Sequence, residues 1–96
     1  MATGKIKNSR QLERHFKGVA NHRRIDILFI VAAHPGITLE GIVESLEANE
    51  KTISEHTRRL SQAGLIDKKY IGRTVAHTLS PYGKILIKFI TTFQHS

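Results

Sequence analysis

Between Asn49 and Gly64 the chain interleaves Lys51, Ser54, Glu55, Arg58, Arg59 and Gln62 with the apolar positions Ile53, Leu60 and Ala63. On a helix of about 3.6 residues per turn, Ile53, Thr57 and Leu60 share one face. Lys51, Glu55, Arg58 and Gln62 fall on the opposite face, with Ser54 and Arg59 flanking it. Long side chains of these types can read base edges. Arg and Lys address guanine O6 and N7, Gln addresses adenine, and Glu accepts from the cytosine amino group. A plainer reading is a solvated face with pairs of Glu55 with Arg58 and Arg59, three and four residues apart.

A second group follows at once. Lys68, Lys69 and Arg73 lie on two strand-like runs joined at Gly72-Arg73. A Gly-Arg tip projects a guanidinium beyond the fold, suited to phosphates or a narrow minor groove. Lysines there also protect an edge strand from unwanted pairing.

The elements around these groups can be read from caps and periodicity. Ser9 is the expected cap of a first helix carrying Leu12, Phe16 and Val19. Asn21 caps a second helix, apolar on nearly every side, which ends before His34-Pro35-Gly36. Thr38 caps a third, with Leu39, Ile42, Val43 and Leu46 inward and Glu40, Glu44 and Glu47 outward. Asn49 caps the fourth, and Gly64 ends it in a left-handed conformation. Residues 65–71 and 74–79 form a hairpin, with Gly72 supplying positive φ. Ser80-Pro81 opens a last helix.

The order is therefore α-α-α-α-β-β-α: mainly α with a small antiparallel β-hairpin. Three residues, 47–49, separate the third and fourth helices. That spacing, followed by a hairpin, makes a winged helix-turn-helix. The expected organisation is a flexible basic arm over 1–8 and one domain over 9–96. Within that domain lie a helix-turn-helix at 38–64, a wing at 65–79 and a dimerisation helix at 81–93.

The whole composition agrees with a single small domain. There are 96 residues, 15 Lys and Arg against 8 Asp and Glu, a net charge of +7 and no cysteine. Residues 1–24 carry +6, residues 25–66 carry −3 and residues 67–96 carry +4. A pI near 10.2 is an electrostatic footprint of nucleic-acid binding. The lack of cysteine excludes disulfides, thiolate metal sites and thiol nucleophiles. Neither a phosphate-cradling glycine loop nor a catalytic triad pattern is present, so an enzyme is not expected. Lys5 and Lys7 precede no apolar segment, and no run is long enough to span a membrane. A cytoplasmic, nucleoid-associated protein is expected.

The last helix carries Tyr82, Ile85, Leu86, Phe89, Ile90 and Phe93, more apolar surface than one small core absorbs. Leu12 and Phe16 of the first helix can complete that surface. A two-fold homodimer is the simplest outcome. Packing of the helix onto its own wing is the alternative.

The stretch LEANEKTISEHTRRLSQAGLI (46–66) resembles the recognition segment of ArsR-type winged-helix regulators. DKKYIGRTVAHTLS (67–80) resembles their wing, and LERHFKGVANHRRIDILFIV (12–31) their first two helices. Ser80-Pro81-Tyr82-Gly83 is similar to the turn after the wing in MarR-like winged helices. The likeness implies a homodimeric double-stranded-DNA-binding transcriptional regulator, a repressor, with the fourth helix in the major groove. It further implies base contacts from Glu50, Lys51, Ser54, Glu55 and Arg58, and phosphate contacts from Thr52, Arg59 and the wing. His56 matches a position that packs or hydrogen-bonds within the motif. The metal sites of that family have no counterpart: Thr38 and Glu40 stand where cysteines would, and the last helix offers only His95. No metal or cofactor is expected, and the sequence specifies no effector. Two rival readings are a sequence-tolerant, chromatin-like DNA coater and a winged helix used as a protein-interaction module.

Overall fold

The computed structural model describes residues 6–96. Five helices and three short strands follow in order: α1 (Ser9–Val19), α2 (His22–Ala33), β1 (Ile37–Thr38), α3 (Leu39–Leu46), α4 (Glu50–Gln62), β2 (Ile66–Ile71), β3 (Thr74–Leu79) and α5 (Pro81–Gln94). The expected winged helix-turn-helix is there, with one addition. The sheet has three strands in the order β1-β3-β2, all antiparallel, rather than a hairpin alone. Strand β1 is too short to show a period-two pattern. It is recruited by its partner: Ile37 pairs with His77, whose Nδ1–H donates to the Ile37 carbonyl at 2.9 Å. A carbonyl can only accept, so that ring nitrogen carries the proton.

Caps decide where the helices start. Asn21, Thr38, Asn49 and Ser80 each accept from backbone N–H groups of the following turn. The first helix corrects the expectation. Asn8, not Ser9, caps α1, because Asn8 and Gln11 form a reciprocal capping box with bonds of 2.8 and 2.9 Å. Residues 1–5 of the expected arm lie outside the described residues. At its far end Lys7 is engaged, its Nζ 4.2 Å from the Tyr82 ring centroid.

The core sits where α2, α3, α4 and the start of β2 meet. Ile27, Leu28, Val31, Ile42, Ile53 and Leu60 are fully buried, and Leu65 and Ile66 nearly so. Each such side chain contributes roughly 1.5–3 kcal/mol by leaving water, so α3 and α4 are anchored on α2, which supplies as many fully buried side chains as the two together. Its turn closes with Glu47 in the left-handed region, φ 50°.

Two close approaches fix the remaining helices. Helix α1 crosses the end of α4 at Gly18, against Ala63. There His15 Nδ1–H donates to the Ala63 carbonyl at 2.7 Å. Helix α5 begins against Leu65, where any side chain on Gly83 would strike the Leu65 carbonyl oxygen. The Ser80 hydroxyl donates to the Gly64 carbonyl at 2.6 Å and accepts from the Gly83 N–H at 3.0 Å.

Candidate nucleic-acid interface

Helix α4 is held by its inner face and presents its outer one. Ile53, Thr57 and Leu60 are buried, and the Thr57 hydroxyl donates to the Ser54 carbonyl at 2.9 Å. The Asn49 side chain accepts from the N–H groups of Lys51 and Thr52, leaving the N-terminal turn exposed and ordered. Glu50, Lys51, Thr52, Ser54, Glu55 and Arg58 line one open groove with Asn49 and His56. All six expected residues there are exposed.

The groove's charges are organised around Glu55. Arg58 grips it with two bonds, Nε to Oε1 at 3.1 Å and Nη2 to Oε2, and Arg59 Nε reaches Oε2 at 3.0 Å. The bonds from Arg58, then those from Arg59, hold the Glu55 carboxyl below the usual carboxylate range. In the free chain the pairs of the plainer reading therefore form. They leave Arg58 exposed on the groove, within reach of a second acceptor.

The wing rises beside Arg58. Lys69 and Arg73 are exposed, and Gly72 turns the tip with φ 62°. Lys68 is half-buried, opposite His77 in the ladder. Burial, then the nearby Arg58 charge, lowers its ammonium pKa. Arg58 and Lys68 thus belong to one positive field.

Arg59 and Gln62 lie elsewhere. They line a depression on the other side of α4 with Arg14, Lys17, Gly18 and Arg24. His56 borders the α4 groove and ties it to α2, accepting from Arg24 Nη1 at 3.3 Å. Burial, then the charge of Arg24, keeps its imidazole pKa below the usual value. Arg14, Lys17 and Arg24 were not among the expected site residues. The available signal was the +6 charge of residues 1–24.

Leu12, Phe16, Tyr82, Ile85, Phe89 and Phe93 are exposed, with the Phe89 and Phe93 rings stacked at 5.9 Å. Leu86 and Ile90 differ from them, being half-buried against the core. Together α1 and α5 border an apolar groove of about 410 Å³, with His15 and Leu65 at its base. Among the described residues, no three His, Asp or Glu side chains converge as metal ligands, and no helix is long and apolar enough to cross a membrane.

The family model described as MarR family matches residues 20–70, from the turn before α2 to all but the last residue of β2. The chain belongs to the MarR family. No curated protein matches it in sequence. Among solved structures, this MarR-family chain is similar to HlyU from Vibrio cholerae N16961, with 26% identity, a TM-score of 0.83, and coverage of 96% of this chain and 100% of that one. The transcriptional regulator HlyU from Vibrio vulnificus CMCP6 is 25% identical over 90% of each chain, with a TM-score of 0.75. A 22% identical fragment of Mb0332 from Mycobacterium bovis, described as homodimeric and a possible ArsR-family regulator, matches 99% of this chain and 91% of its own, with a TM-score of 0.83. Of the structures similar to this MarR-family chain, HlyU from Vibrio vulnificus is described as a transcriptional regulator and the Mb0332 fragment as a possible one.

Proposed function

We propose that this chain is a sequence-specific, double-stranded-DNA-binding transcriptional regulator that acts as a homodimer, and specifically as a repressor in the cytoplasm. The observation that carries the reading is the outer face of α4: a capped, well-anchored helix that presents Lys51, Ser54, Glu55 and Arg58 on one open groove beside a basic wing. In this reading α4 enters the major groove, and Lys69 and Arg73 meet the backbone or minor groove. The domain then divides into a helix-turn-helix over 38–64, a wing over 65–79 and a dimerisation helix over 81–93.

The apolar faces of α1 and α5 supply the homodimer, through Leu12, Phe16, Tyr82, Ile85 and Phe89 with Phe93 at the edge. Leu86 and Ile90 support that surface from the core side. Two α4 helices related by a two-fold axis would enter successive major grooves about 34–36 Å apart, reading a pseudo-palindrome. The homodimeric description of the Mb0332 fragment supports this arrangement.

The test is selection of duplexes from a random pool, followed by gel shifts of selected and random DNA. A specific regulator enriches a pseudo-palindrome and binds it at least about a thousand-fold more tightly than random duplex. Equal affinity for both would make the chain a sequence-tolerant DNA coater. Absence of any shift would make it a protein-interaction module.

A further inference from the structure

We propose that Arg14, Lys17, Arg23 and Arg24 form a second phosphate-binding shoulder, so that α4 is gripped from both sides of the major groove. This inference rests on the DNA-binding reading above and names contacts which that reading lacks.

A helix lying in the major groove has a sugar–phosphate ridge on each flank. The wing serves only the flank next to Arg58. On the other flank, α1 and the start of α2 border a shallow depression of about 310 Å³, whose polar lining is Arg14, Lys17, Arg24, Arg59 and Gln62. Gly18 makes the depression possible: α1 lies so close to α4 that even a methyl group on Gly18 would strike Ala63. The bases of α1 are thereby brought level with those of α2 and α4.

The shoulder's charge is not neutralised from within. Among the described residues, Arg14, Arg23 and Arg24 have no carboxylate within ion-pair distance. Lys17 has only Glu13 at 3.1 Å, a well-exposed pair of the kind that solvent and salt readily open. Glu55 is already held by Arg58 and Arg59. Arg24 spends its one side-chain bond on a neutral imidazole, and its buried Nε has no partner among the described residues. Burial is the main reason the His56 pKa is lowered; beyond it Arg24, Arg23 and His22 disfavour protonation while Glu55 favours it. Gln62 is the one amide on the lining, and the guanidinium and ammonium groups that surround it fit a row of phosphates. Such contacts add affinity and register without reading sequence.

Arg24 supports His56, so the test uses the α1 pair, whose side chains are exposed. Wild-type chain and R14Q/K17Q are titrated onto a selected and a random duplex between about 50 and 200 mM salt, with R23Q as an independent variant. The expected result for R14Q/K17Q is an affinity about ten-fold lower on both duplexes, an unchanged preference between them, and a log–log salt slope smaller by about two. R23Q should lose about one unit of slope. Wild-type affinity and slope in all variants would overturn the shoulder and leave the DNA reading standing. A loss confined to the selected duplex would mean that these side chains read bases, and would also overturn it. Failure of the wild-type chain to bind any duplex would overturn both.

Discussion

Gly18 and Ala63 touch backbone to side chain: a Cβ on Gly18 would lie 2.2 Å from the Cβ of Ala63. Real atoms cannot approach so closely, so α1 must shift if the methyl group is added. Gly18→Ala should destabilise the fold by about 1–3 kcal/mol through overpacking. Because the clash needs both methyl groups, Gly18→Ala with Ala63→Gly should cost less than the two single changes added together. Urea midpoints of the three variants check this, and strict additivity would refute the contact.

Arg58 and Arg73 should fail in different ways. Arg58 lies on the α4 groove and Arg73 at the wing tip. Arg58→Ala should cost about 1–3 kcal/mol at a selected site and relax base preference there. Arg73→Ala should weaken all duplexes alike and lower the salt slope by about one. Equilibrium titrations over a range of salt separate the two. If neither variant changed affinity, α4 and the wing would not be the interface.

Acid should loosen the sheet through His77. Burial pushes its imidazole pKa below the ordinary 6.5, against the opposing hydrogen bond to Ile37. The unfolded chain therefore binds that proton more readily than the folded one. The stability linked to His77 is complete above about pH 6.5 and is lost as pH falls towards and through the lower folded value. His56 is shifted in the same direction and adds to the trend. Urea midpoints should fall between about pH 7.5 and pH 5, and His77→Gln should flatten that fall. A midpoint rising with acid would contradict the assignment.

The α5 face separates assembly from folding. Phe89 is 57% exposed, whereas Ile90 packs against the core. Phe89→Glu should leave the single chain folded but place an unpaired charge in the proposed interface, at a cost of several kcal/mol on burial. Ile90→Glu should unfold the chain. Light scattering should give twice the 10.8 kDa chain mass for the wild-type protein and a single chain for Phe89→Glu. A wild-type particle of one chain at micromolar concentration would rule out the dimer and the two-groove docking.

What the sequence revealed was local in origin. Asn21, Thr38, Asn49 and Ser80 announce their helices because a cap acts over three residues. Glu55 with Arg58 and Arg59 was readable for the same reason. Asn8 was missed because the adjacent serine suits a cap equally well, and only the reciprocal bond to Gln11 decides between them. Strand β1 is set by His77, 40 positions further on, and the burial of His15 by a carbonyl 48 positions away. Nothing near Ile37 or His15 in sequence encodes those partners. The shoulder at Arg14 and Arg24 was hidden likewise, since a charge run does not say which helix it will lie beside.

Ser80 joins the turn that ends α4 to the first turn of α5 through one hydroxyl, bonded to Gly64 on one side and Gly83 on the other. There is no slack between the helix proposed to read DNA and the helix proposed to hold the second copy. Two chains clasped through α5 would behave as a calliper with fixed jaws, not as two readers on tethers. One base pair added between half-sites turns them by about a tenth of a helical revolution. With rigid jaws, the duplex itself would have to be twisted to absorb that error, so the spacing of an operator would be read as stringently as its letters.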